Sequence, residues 1–117
     1  MDRRALKREY KQSQPTMGIY RILNTVDDRA LVGSSVNVPA MLNRLRAQLG
    51  MGVHTNRQLQ ADWNRHGAEA FRFEVMDTLA PRDDADYDPA PDLRALEELW
   101  CDRLSPYGDG GYNKAPG

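Results

Sequence analysis

Two short apolar runs, MGIYRIL (17–23) and RALVGSS (29–35), are separated by the polar stretch NTVDD. Ile, Tyr, Leu and Val suit a pleated, half-buried surface, and Asn, Thr and Asp suit a turn, so the pattern predicts a β-hairpin. Beyond it Leu42, Leu45 and Leu49 recur at spacings of three and four, which predicts a helix over about 37–49. Asn37 is its expected N-cap, Pro39 fits its first turn, and GMG (50–52) stops it. A second helix is expected from Thr55, where Thr55 and Gln58 form a T-x-x-Q capping box, and it ends at Gly67. In AFRFEVMDTL (70–79), Phe71, Phe73 and Val75 alternate with Arg72, Glu74 and Met76, the signature of a third strand. An acidic loop, APRDDADYDPAP, leads to a last helix expected to start near Asp92 and to run to Leu104. The tail SPYGDGGYNKAPG is rich in turn residues. At the other end DRRALKREYKQ (2–12) reads as a short basic helix broken by SQP. The expected organisation is a basic N-terminal extension (1–16) followed by one domain (17–117).

Composition narrows this picture only at a few points. The 117 residues suffice for one modest core, and 40% hydrophobic with 28% charged residues is ordinary for a soluble globular chain. There is no apolar run near the ~18 residues of a membrane span and no signal-peptide pattern, so a cytoplasmic location is expected. Cys101 is the one cysteine, which rules out an internal disulfide and a thiolate zinc site. Charge is unevenly placed. Residues 1–72 hold 12 Lys or Arg against 6 Asp or Glu, whereas 73–117 hold 4 against 11. This asymmetry reads either as a basic face for nucleic acid or as separate solvated helices. Asp84, Asp86 and Asp88 imitate the start of a calcium loop, but Pro89 and Ala95 stand where the loop needs Gly and Glu, so calcium is excluded.

The ordered set GIY (18–20), VGSS (32–35), HTNRQLQADWNRHG (54–67), LEELW (96–100) and GYN (111–113) resembles the GIY-YIG nuclease family over residues 17–113, most of the chain. The resemblance implies an α+β fold, a small three-stranded antiparallel sheet flanked by helices. It also implies a metal-dependent endonuclease that hydrolyses phosphodiester bonds in DNA or RNA, with Mg²⁺ or Mn²⁺ as cofactor. Carried over position by position, the GIY tyrosine is Tyr20, the metal-binding glutamate Glu97, the histidine His54 and the supporting asparagine Asn113. Two positions depart from the family pattern. Leu31 replaces the tyrosine of YIG, and Met41 occupies the place of the helix arginine. The implied partner is nucleic acid, DNA ahead of RNA, with a protein partner as one source of specificity. The rival expectation is a degenerate domain that binds nucleic acid or protein without cleaving.

The residues themselves weigh these roles. At about 100° per residue, with Leu93 at the origin, Glu97 falls at about 40°, on the rim of the stripe formed by Leu93, Leu96, Trp100 and Leu104, while Glu98 falls at about 140°. Glu97 is then a snorkelling boundary residue or a metal ligand. Tyr20 is a strand aromatic or a water-positioning phenol, whose ordinary pKa near ~10 needs neighbouring positive charge before it can act as a base. His54 is a turn residue or a base or phosphate contact. Arg44, one turn after Met41, is either solvated or a replacement for the missing arginine. Gly33, Ser34 and Ser35 either shape the sheet or bring it close to a phosphate, and Arg46 and Asn113 complete the expected substrate contacts. His66, Trp63 and Trp100 read as structural.

Overall fold

The computed structural model describes residues 15–115. Among them the elements follow as β1 (Met17–Asn24), β2 (Arg29–Ser35), α1 (Val38–Met51), α2 (Arg57–His66), β3 (Phe71–Leu79) and α3 (Ala90–Leu104), with 3-10 turns at Ala68–Ala70 and Gly108–Gly110. The basic helix expected at 2–12 lies outside the described residues. The strands form one antiparallel sheet in the order β2-β1-β3.

Central β1 is covered on both faces, which is why GIYRIL is apolar at consecutive positions rather than at alternate ones. Tyr20 and Ile22 face one way, into a core with Val38, Leu45 and Leu49 of α1, Leu59 of α2, Phe71 and Tyr112. Ile19 faces the other way and packs with Val32 of β2 and Cys101, Leu96 and Trp100 of α3. Arg21 breaks the apolar run and is matched across the sheet by Glu74, 2.8 Å away. Burying an aliphatic or aromatic side chain stabilises the fold by roughly 1.5–3 kcal/mol, so the two clusters carry most of the stabilisation.

Four local expectations are corrected. The alternation in β3 does not persist, because the register slips between Ile19 and Tyr20: Tyr20 pairs with Val75 and Ile19 with Asp77. Met76 is the extra residue of this bulge and packs in the α3-side core, while Val75 is left 48% exposed. Helix α1 runs through Gly50 and Met51 and ends at Gly52, which takes the left-handed conformation (φ 76°). The α2 cap is Asn56, whose side chain accepts from the Leu59 N–H; the Thr55–Gln58 box does not form. Helix α3 starts at Ala90, not at Asp92. Asp88 Oδ1 accepts the Ala90 N–H, and Asp92 sits in the first turn, accepting the Tyr87 hydroxyl at 2.6 Å. At α1, by contrast, Asn37 caps as expected, accepting from the Ala40 N–H.

The tail positions the free edge of β2. The Tyr112 N–H donates to the Ala30 carbonyl, and the Asn113 amide both accepts from the Val32 N–H (2.9 Å) and donates to the Val32 carbonyl (2.8 Å). The edge is therefore sheathed as far as Val32, and Gly33, Ser34 and Ser35 continue beyond the cover.

Candidate active site

The site is built where that cover stops. Gly33 lies opposite Tyr20 in the β1–β2 register, and the Tyr20 ring passes directly over it. A Cβ at position 33 would collide with the phenol ring and hydroxyl, so the glycine is what lets the ring lie there. Tyr20 is 9% exposed. Burial, and secondarily the negative charge of Glu97, push its phenol above the ordinary value, so it stays protonated at neutral pH.

Glu97 is half-buried and its neighbour Glu98 is exposed, the difference expected from the helical wheel. Glu97 stands between two grooves. The first, about 350 Å³, runs between the C-terminal end of β2 and the start of α3 and is lined by Ser34, Ser35, Asp88, Leu93 and Arg94 as well as Glu97. The second, about 390 Å³, is lined by Glu97, Glu98, Cys101, Asp102, Asn113 and Lys114 among others. Tyr20, Gly33, Ser34, Ser35, Glu97 and Asn113 thus converge on one end of the sheet. Asn113 spends both ends of its amide on Val32, so it holds the strand edge and the tail together. Among the described residues no three His, Cys, Asp or Glu side chains stand together as a metal cluster. One carboxylate with hydroxyls beside it suits a hard cation that keeps most of its water, and does not suit zinc.

Other expected residues lie elsewhere. Arg46 stacks over the Phe73 ring at 4.4 Å and lines a separate groove with Trp63 and Glu69, on the β3 side of the sheet. Arg44 is exposed on the opposite flank of α1 and lines neither groove beside Glu97. His54 is engaged at the mouth of α2. Its backbone N–H donates to Gln60 Oε1, and its ring Nδ1 accepts the Asn56 N–H at 2.9 Å. With the Nδ1 lone pair taken, the neutral ring carries its proton on Nε2. Burial lowers its pKa below 6.5, so the neutral form prevails at pH 7. The two departures from the family pattern are now physical: Leu31 and Met41 both pack against the core on the α1 side. Cys101 is buried, and burial pushes its thiol up, consistent with an idle cysteine.

One constellation escaped sequence reasoning. The Tyr112 hydroxyl donates to Asp62 Oδ2 (2.7 Å), Arg29 reaches the same oxygen (3.3 Å), and the buried Asn24 amide donates to the Tyr112 oxygen (3.1 Å) and to Asp27 (3.0 Å). His66 Nε2 lies 2.8 Å from Asp27. This network ties the hairpin turn, α2 and the GYN tail together behind the site. A polar residue on the buried face of a helix, as Asp62 is between Leu59 and Trp63, was the available signal.

No family model matches the sequence, and no curated protein matches it. Solved structures do. The catalytic domain of the homing endonuclease I-TevI is 26% identical, with a TM-score of 0.69 over 86% of this chain and 99% of that one. A mutant of the same intron endonuclease's catalytic domain is 24% identical, with a TM-score of 0.67 over 84% and 92%. I-TevI is a GIY-YIG homing endonuclease, and the three-stranded antiparallel sheet with its flanking helices is the fold it shares with this chain.

Proposed function

We propose that this chain is a metal-dependent endonuclease that hydrolyses phosphodiester bonds in nucleic acid, DNA in preference to RNA, through a variant GIY-YIG site. The observation that carries the reading is Glu97: a half-buried carboxylate open to two grooves, close enough to Tyr20 to raise its pKa, on a fold shared with a homing-endonuclease catalytic domain. Glu97 would hold Mg²⁺ or Mn²⁺, which when bound supplies positive charge to the scissile phosphate and the leaving oxygen. The Tyr20 phenol, protonated in the metal-free chain, would orient the attacking water and, with a cation on Glu97 offsetting that carboxylate's charge, help to draw off its proton. His54 lines neither groove beside Glu97 and its Nδ1 is already occupied, so it takes no direct part in this scheme. Ser34 and Ser35 offer hydroxyls to the backbone, and Asn113 keeps the strand that carries them in register. Binding would be salt-sensitive and largely independent of sequence, leaving specificity to a partner protein.

A second reading, binding without cleavage, draws on Leu31 and Met41, since both are committed to the core. The test incubates the purified chain with labelled single- and double-stranded DNA and RNA plus Mg²⁺ or Mn²⁺, beside Glu97→Ala. Metal-dependent cleavage by the wild type that the variant loses is the expected result. Binding without cleavage by both proteins favours the second reading.

A further inference from the structure

We infer that Arg94, one turn before Glu97 on α3, is the cation that grips the substrate phosphate, in place of the arginine absent from position 41. The inference rests on the nuclease reading above. Position 41 carries no charge and packs against the core. Of the two arginines of α1, Arg46 is stacked on Phe73 in another groove, and Arg44 lines neither groove beside Glu97. Arg94 does line one. It shares the groove of about 350 Å³ with Ser34, Ser35 and Glu97. Residues three apart on a helix are neighbours on one face, so the guanidinium and the Glu97 carboxylate address the same space.

Arg94 is also available. It is exposed and pairs with no carboxylate among the described residues. The two acids that precede it are engaged elsewhere: Asp88, which lines the same groove, accepts the Ala90 N–H, and Asp92 accepts the Tyr87 hydroxyl, while Glu97 and Glu98, which follow it, form no ion pair with it. The other groove sets three carboxylates, Glu97, Glu98 and Asp102, against Lys114, and is the more acidic of the two, since the first sets Asp88 and Glu97 against Arg94. The strand therefore reaches Glu97 from the Ser34–Ser35 side. An arginine fork meets two phosphate oxygens at once, which a lysine cannot reproduce.

The test measures cleavage and, with Ca²⁺ in place of Mg²⁺, binding of fluorescent DNA oligonucleotides across a salt series. Arg94→Ala should weaken binding about tenfold, flatten the slope of log affinity against log salt by about one phosphate contact, and slow cleavage by about tenfold to a hundredfold. Arg94→Lys should regain the slope but not the full rate. Arg103→Ala, which removes a charge from the far end of the same helix, should change neither. Wild-type binding and cleavage in Arg94→Ala overturns the inference, as does an equal loss in Arg103→Ala, or a loss in Arg44→Ala that Arg94→Ala does not show. A wild type that binds but does not cut refutes the hydrolase alone, and the salt slopes still decide Arg94. A wild type that neither binds nor cuts refutes both.

Discussion

At the scale of single residues, the site depends on one glycine as much as on its carboxylate. The space over Gly33 is filled by the Tyr20 ring, so Gly33→Ala must push the phenol aside. The ring is buried and cannot move freely. The expected cost is about 1–3 kcal/mol of stability from overpacking. If Tyr20 acts as proposed, cleavage should fall about tenfold or more, as misplacement of a positioning group does. Urea denaturation and the cleavage rate, measured beside Tyr20→Phe, check this. A Gly33→Ala protein with wild-type rate and stability would contradict the packing of Tyr20 over the glycine. The strand position of Tyr20 and the half-buried rim position of Glu97 were legible in the sequence because a motif and a helical wheel each speak to a single position. What they could not convey is that the phenol is desolvated beside a carboxylate, which holds it protonated. That follows from neighbours far apart in the chain.

At the scale of elements, the hairpin, the three helices and the third strand were legible from periodicity, and their ends were less so. Thr55 and Gln58 satisfied a capping pattern, yet Asn56 caps α2 because its amide also donates to the Tyr112 carbonyl (2.8 Å), a contact local sequence does not contain. The bulge in β3 is likewise a matter of tertiary packing: Met76, the extra residue, packs in the α3-side core. Asp62 is where these elements meet. Asp62→Ala removes the acceptor shared by Tyr112 and Arg29 and leaves a buried hydroxyl without its partner. It should cost about 2–3 kcal/mol in urea denaturation and speed hydrogen exchange at the Tyr112 amide. Tyr112→Phe removes two bonds of the network, the one donated to Asp62 and the one accepted from Asn24, and should cost a similar amount.

At the scale of the whole molecule, the uneven charge of the sequence becomes a difference between the two faces of the sheet. Helices α1 and α2 carry Arg44, Arg46, Arg57 and Arg65 against Asp62, while α3 carries Asp92, Glu97, Glu98 and Asp102 against Arg94 and Arg103. A further global property comes from buried phenols. Tyr20 is raised by burial and by Glu97, and Tyr112 strongly by burial and by its bond to Asp62. The unfolded chain ionises its tyrosines near ~10, so above that pH the folded state holds more protons. The stability they contribute is complete below pH ~10 and is lost as the pH rises toward the folded values. Denaturation midpoints should therefore drop between pH 9 and pH 11, and the drop should shrink in Tyr112→Phe. An unchanged midpoint would contradict the burial of these hydroxyls.

The sequence by itself determined the α+β fold, the order of its elements and the place of Tyr20 and Glu97 in them, because hydrophobic period and short motifs are local properties of a chain. Tertiary structure decided which side chains share a space. It seated Arg46 on Phe73, engaged His54 in the opening of α2, joined Asp62 to Tyr112, and put Arg94 in the groove with Glu97. A charge can stand beside a carboxylate from any element that packs there, and only the packing of β2 against α3 determines which one does.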